Sequence, residues 1–230
     1  MVGVPRGLGV AVTVLLGVVA LSDLFAVVAG ARSYSLISGD SGFVFAAQHD
    51  LEAADNLYRA AGLFQAVAYI ACAAVFITWF LRMRRCTGLL APDRFRRAPG
   101  WAVACWFVPI GNFWLPYGVA LDMWRAASVT RRTGADPRGT PSWPLTLWWI
   151  LFAGTTLFER FASSAYRSAV TLTRLRQALV EYMVVDAANI VAAGAAVYFV
   201  VRLTDLARRK AEHASAPWGP AVNSPNRQVF

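Results

Sequence analysis

A chain of 230 residues that is 57% hydrophobic and 15% charged, with a mean hydropathy of +0.47, carries more apolar surface than a soluble domain of its size can hide. A bilayer is its natural solvent. The formal charge of +9 comes from 22 Lys and Arg against 13 Asp and Glu; no basic helix or aromatic platform stands clear of a hydrophobic run, so nucleic acid is not expected as a partner.

The first predicted element is a span over residues 8–29, a stretch of 22 mostly apolar residues, which at 1.5 Å per residue crosses a ~30 Å hydrocarbon core. Ala29-Gly30-Ala31 resembles a cleavage site, but the run is longer than a signal-peptide core and Asp23 interrupts its far end, so a retained span is expected. A second span is predicted over 60–81, where Trp79 and then Arg82, Arg84 and Arg85 mark a membrane border. Before it, His49, Asp50, Glu52, Asp55 and Arg59 stand among alanines without proline, which predicts a watery extension of the same helix.

Residues 101–124 are apolar enough to enter a membrane, yet Pro109, Gly111, Asn112 and Pro116 break the middle. Each proline removes a backbone donor and clashes with the turn before it, and such backbone survives in lipid only where protein or a wet cavity satisfies it. A short span follows at 144–158, flanked by Trp143, Trp148 and Trp149, and a last one at 183–201, bounded by Arg202. Between these two, Arg160, Arg167, Arg174 and Glu181 recur every seven residues, which predicts one stripe on a water-facing helix. Residues 1–205 thus read as one transmembrane domain, and 206–230, with Pro217, Pro220 and Pro225, as a disordered cytoplasmic tail. The fold class expected is an all-α polytopic bundle of four spans plus one Pro/Gly-broken re-entrant or interfacial segment.

Charge bookkeeping decides whether the broken segment crosses. With five spans the basic residues divide 11 to 11; with the segment re-entrant or interfacial they divide 16 to 6, which the positive-inside rule prefers, with both termini cytoplasmic at the plasma membrane. That arrangement brings Asp23, Gln65, Arg160, Asp186 and Asn189 to one depth near the outer face.

These five form the candidate polar pocket. An ionisable group within a span costs about 2.5–3.5 kcal/mol at the centre and is usually paired or functional, so Asp23 and Asp186 rank first. Asp186 and Asn189 share a helix face. The competing structural reading is that water or Arg160 suffices near a span end. The broken segment supplies a second candidate, with Pro109, Gly111, Asn112, Trp114, Pro116, Asp122 and Trp124: discontinuous helices can hold ions or substrates, while an interfacial element with Asn112 capping a half-helix is the structural alternative. Arg82, Arg84, Arg85, Arg94, Arg96 and Arg97 read as an orientation signal and as a contact for anionic lipid headgroups or a partner.

Catalytic signatures are not found: there is no GxSxG, HExxH or P-loop lysine. Cys72, Cys86 and Cys105 lack CxxC spacing and the histidines are two, His49 and His213, so neither a disulfide framework nor a metal or other cofactor is expected.

The run Phe76-Ile77-Thr78-Trp79-Phe80-Leu81-Arg82, then Trp106, Pro109, Asn112, Trp114, Pro116 and Asp122-Met123-Trp124-Arg125-Ala126, resembles the actinobacterial membrane-protein family known as domain of unknown function 4328, over roughly residues 55–205. Members usually carry an asparagine or similar polar residue where this chain reads Arg84-Arg85-Cys86-Thr87. The resemblance implies a bacterial plasma-membrane protein and supplies no activity, cofactor or catalytic residue. The function expected first is a non-enzymatic accessory or interaction module, touching lipid, a membrane-protein partner or a second copy of itself. Next comes a transporter-like or solute-binding protein for a small solute or ion, using Asp23, Asp186, Asn189 and Asn112, and last an intramembrane enzyme.

Overall fold

The computed structural model describes residues 3–38, 48–95, 97–128, 140–167 and 171–215, and every regular element among them is helical. The helices are α1 (Arg6–Ser38), α2 (Gln48–Leu90), the single turn α3 (Trp101–Ala104), α4 (Leu115–Ala127), α5 (Trp143–Arg167) and α6 (Leu172–Ser215), with 3₁₀ turns at Pro92–Arg94 and Gly111–Phe113. Three are long and apolar enough to cross a membrane: Arg6–Leu36, Glu52–Leu90 and Thr173–Ala214.

Each long helix outruns its apolar stretch because nothing in the flanking sequence stops it. α6 continues past 205 to Ser215, where Asp205 pairs with Arg208 and Arg209 at 2.8 Å each and Arg6 reaches Glu212 at 3.4 Å. The two Asp205 pairs, one turn apart, support the helix, and the Arg6–Glu212 pair ties its end to α1. The expectation of disorder from residue 206 therefore gives way to helix as far as Ser215; residues 216–230 lie outside those described. The stripe of Arg160, Arg167, Arg174 and Glu181 is also corrected, since α5 ends at Arg167 and α6 begins at Leu172, which divides it between two helices.

Close approaches at two glycines fix the helix directions. A Cβ on Gly9 would meet Thr204 Oγ1 at 3.3 Å and Trp79 Nε1 at 3.6 Å, and one on Gly30 would meet Met183 Cγ at 3.2 Å and Tyr58 Cε2 at 3.9 Å. Hence α1 runs between α2 and α6 and antiparallel to both. α5 runs against α6: Trp143 stacks on Tyr198 and Trp148 on Phe199, ring centroids 5.4 and 4.5 Å apart. The order around the bundle is α2, α1, α6, α5, and the chain from 97 to 127 fills the lower part of the seam between α5 and α2.

Both ends of that chain lie at one end of the bundle. Arg84 Nη2 donates to Arg97 O and Lys210 Nζ donates to Ala126 O, each at 2.7 Å, and both donors stand just beyond the Gly9 crossing. Between these ties the segment rises to place Trp106 edge-on against Phe76 and Phe80, centroids 5.8 Å apart in each case. Trp149 Nε1 donates to Phe113 O at 3.1 Å, satisfying one carbonyl that the helix break frees.

The break itself is a γ-turn in which Gly111 N donates to Pro109 O at 2.6 Å and Ile110 takes φ 61°. Gly111 has no room for a side chain: a Cβ would meet Leu115 Cδ1 at 2.8 Å and Val108 Cγ1 at 2.9 Å. Pro116 then sits in the first turn of α4, where its missing N–H is harmless. The structural alternative had Asn112 capping a half-helix; instead Trp114 precedes α4 and no side chain caps it, because the 3₁₀ turn at 111–113 holds Asn112 too far upstream.

Candidate functional site

Three helices contribute one side chain each to a polar cluster inside the bundle. Gln65 of α2 donates through Nε2 to Asp23 Oδ1 on α1 at 2.6 Å and to Asp186 Oδ1 on α6 at 2.9 Å. A primary amide has two N–H donors, so both are used and the two carboxylates are bridged. One turn along α2, Tyr69 donates its hydroxyl to Asp23 Oδ2 at 3.2 Å. Asp23 is fully buried and Asp186 8% exposed. Among the described residues no ion pair reaches either carboxylate, and no group of His, Cys, Asp and Glu is gathered to hold a metal ion.

Helix spacing gives the cluster's depth. Asp23 stands 17 residues from Arg6, Gln65 19 from Arg84 and Asp186 16 from Arg202, roughly 24–28 Å along each helix. The cluster and the basic end of the bundle are therefore separated by nearly the thickness of a hydrocarbon core.

Beside the cluster lies a cavity of about 230 Å³ between α2, α5 and α6, with Leu16 and Val19 of α1 forming its back wall. Each long wall changes character along its length. On α2 the lining runs from Tyr69 to Cys72, Ala73, Phe76 and Ile77; on α6 it runs from Asn189 to three alanines. α5, oppositely directed, runs from Trp148 and Phe152 to Thr155, Thr156 and Glu159. The antiparallel arrangement thus collects Tyr69, Thr155, Thr156, Glu159 and Asn189 at the end nearest the carboxylates. Trp106 lines the other end, its buried Nε1 without an acceptor.

Of the five residues expected in a polar pocket, Asp23, Gln65 and Asp186 are joined by hydrogen bonds and Asn189 lines the adjacent cavity. Arg160 is not part of it: it is exposed, and it is its neighbour Glu159 that lines the cavity. Tyr69, Thr155, Thr156 and Trp106 were missed. Only Tyr69 carried a usable signal, lying four residues from Gln65 and so on its face of the helix.

In the broken segment, Pro116 and Trp124 are buried, Trp114 is 57% exposed, and Trp124 Nε1 donates to Thr140 O at 3.3 Å. Asp122 is half-buried. None of these reaches the carboxylates, so the two candidate sites are separate. Arg82, Arg85, Arg94 and Arg97 are exposed, whereas Arg84 is 5% exposed. It was expected at the lipid surface; its guanidinium instead lies 3.5 Å over the Phe95 ring, where the bond to Arg97 O holds it. Arg96 lies outside the described residues.

Membrane-length apolar helices around buried carboxylates and a cavity define an all-helical protein suited to a bilayer. Residues 44–205 match the family model described as Domain of unknown function (DUF4328), and the chain belongs to that family. No curated protein and no solved structure matches it.

Proposed function

We propose that this protein is a solute-binding protein of the bacterial plasma membrane, in which Asp23, Gln65 and Asp186 hold a small organic cation close to the outer surface. The observation that carries the reading is the convergence of two buried carboxylates on one neutral amide, with no cationic partner from the described chain. Buried negative charge is costly unless a positive group compensates it, and two donors from Gln65 and one from Tyr69 supply hydrogen bonds but no charge. A cation from outside the protein completes the balance.

The topology proposed with it has four spans, α5 being the fourth, both termini cytoplasmic, and the segment around Asn112 re-entrant. Three things support it. α5 turns Leu147, Ile150, Leu157 and Phe161 outward, each at least 43% exposed, as a lipid-facing helix would. The broken segment carries Phe107, Ile110 and Trp114 outward at its crest, at 72%, 74% and 57% exposure. The basic residues divide 16 to 6 only in this arrangement.

A second reading, the accessory module, draws on that same crest and on the exposed Arg82, Arg85, Arg94 and Arg97, which suit anionic headgroups or a membrane-protein partner. The two readings separate on one measurement, equilibrium binding of radiolabelled methylammonium to the purified protein in nanodiscs. Saturable binding that weakens about tenfold or more in Asp186→Asn, with Arg82→Ala and Arg85→Ala unaffected, is the expected result. Absence of binding by the unaltered protein, or full binding by Asp186→Asn, overturns the cation-site reading.

A further inference from the structure

Resting on the cation-site reading, we infer that the cavity accepts the apolar body of an amphiphilic amine, which enters from the bilayer between α2 and α5 and presents its ammonium group to the carboxylate end. A site for a small hydrated cation needs no apolar chamber; this one has about 230 Å³ of it. Its walls are polar at one end and hydrocarbon or aromatic at the other, over eight residues of α2 between Tyr69 and Ile77, roughly 12 Å. That gradient is the shape of an amphiphile with a single head.

The sign of the head follows from the charges nearby. Glu159 is the one carboxylate in the lining, Tyr69 carries the hydrogen bond to Asp23, and Asn189 is one helical turn from Asp186. Asp23 and Asp186 have no ion-pair partner among the described residues; such carboxylates repel an anionic head and give an alcohol no Coulombic gain, whereas an ammonium group gains both charge and hydrogen bonds. At the opposite end the indole of Trp106, whose Nε1 has no acceptor, closes the chamber and offers an unused donor to the far end of a ligand.

Entry is from the side. α6 packs along α1 and α5 on two of its faces, while α2 and α5 meet through rings, Phe76 and Trp148 being 5.7 Å apart, at the level of the aromatic floor. Above that contact, toward Glu159, the cavity lies between the two helices, and the outward neighbours on both sides are apolar: Val67 and Ile70 on α2, Leu157 and Phe158 on α5. A molecule dissolved in the outer leaflet meets this seam directly.

The test uses the full-length protein in phosphatidylcholine nanodiscs and a decylamine carrying a diazirine near its chain end. After irradiation, adducts are expected on Phe76, Trp148 and Phe152; excess decylamine removes them and decanol does not. Ala193→Phe, which fills the chamber, should lose these adducts while methylammonium binding persists, and Ala73→Phe on the opposite wall serves if the first variant fails to assemble. Adducts confined to lipid-facing Leu63, Val67 and Ile70, or competition by decanol equal to that by decylamine, overturn the inference. If methylammonium still binds in that event, the cation site stands and only its lateral chamber is rejected; if methylammonium never binds, the underlying reading has failed as well.

Discussion

The two ends of the bundle solve opposite problems. At the basic end, Phe199 is enclosed between Trp148, 4.5 Å away and nearly parallel at 2°, and Trp124, 6.3 Å away at 17°, with Trp79 edge-on at 6.1 Å. At the other end, Asp23 and Asp186 put carboxylates in buried positions, Gln65 is half-buried between them, and a cavity lies beside the cluster. Lipid is as apolar as a side chain, so helices in a bilayer gain little by burying hydrocarbon and associate through close packing. The aromatic end is where this fold obtains that packing. The carboxylate end sacrifices some of it, a contrast that fits the proposed cation site.

Substitution at each end should expose the difference, and the largest effect belongs to the aromatic end. Phe199→Ala removes the ring on which three tryptophans converge; with the transfer part of the cost reduced in a bilayer and the cavity part retained, a loss of about 3 kcal/mol is expected. Unfolding by dodecyl sulfate titration from mixed micelles measures it. Gln65→Leu at the opposite end should lose less, about 2 kcal/mol, the penalty for stranding buried acceptors. Replacing Asp23, Gln65 and Asp186 together by leucine should then restore stability to within about 1 kcal/mol of the unaltered protein, with methylammonium binding abolished. If the all-leucine cluster unfolds as readily as Phe199→Ala, the cluster is structural and the comparison between the two ends collapses.

What the sequence disclosed follows the same division. Asp23, Gln65 and Asp186 stood out because polar groups are conspicuous in apolar runs, and arginine bookkeeping alone set them at one depth. Tyr69, Thr155 and Thr156 did not stand out: hydroxyls are tolerated on spans, where Thr155 and Thr156, for instance, bond back to Phe152 O at 3.2 and 2.7 Å. Arg160 entered as a cationic partner for the aspartates at the same depth, but consecutive helix residues point about 100° apart, and it is its neighbour Glu159 that faces the cavity. The aromatic floor was illegible because Phe199 sits in an alanine and valine run, and its partners come from α2, α4 and α5, helices whose relative rotation no single-chain pattern encodes. Trp148 and Trp149, read as flanking residues of a span, are interior for the same reason.

The smallest predicted effect lies between the two ends, at the crest of the broken segment. Ile110, a β-branched residue, is held at φ 61° and ψ −49°, the centre of the rarer and strained form of γ-turn, at a conformational penalty of about 1–3 kcal/mol. Its side chain is 74% exposed, so little protein contact offsets that penalty. Glycine adopts the conformation freely, but it also gains freedom in the unfolded chain, which opposes the benefit by roughly 0.5–1 kcal/mol. The balance predicts that Ile110→Gly stabilises the protein by about 1 kcal/mol in dodecyl sulfate titration while methylammonium binding is unchanged, since the turn touches neither carboxylate. A destabilised variant would mean that the isoleucine side chain holds the crest in the bilayer by more than the strain it imposes. The broken segment would then act as a membrane anchor, and the division of labour would run between crest and cluster instead of between the two ends of the bundle.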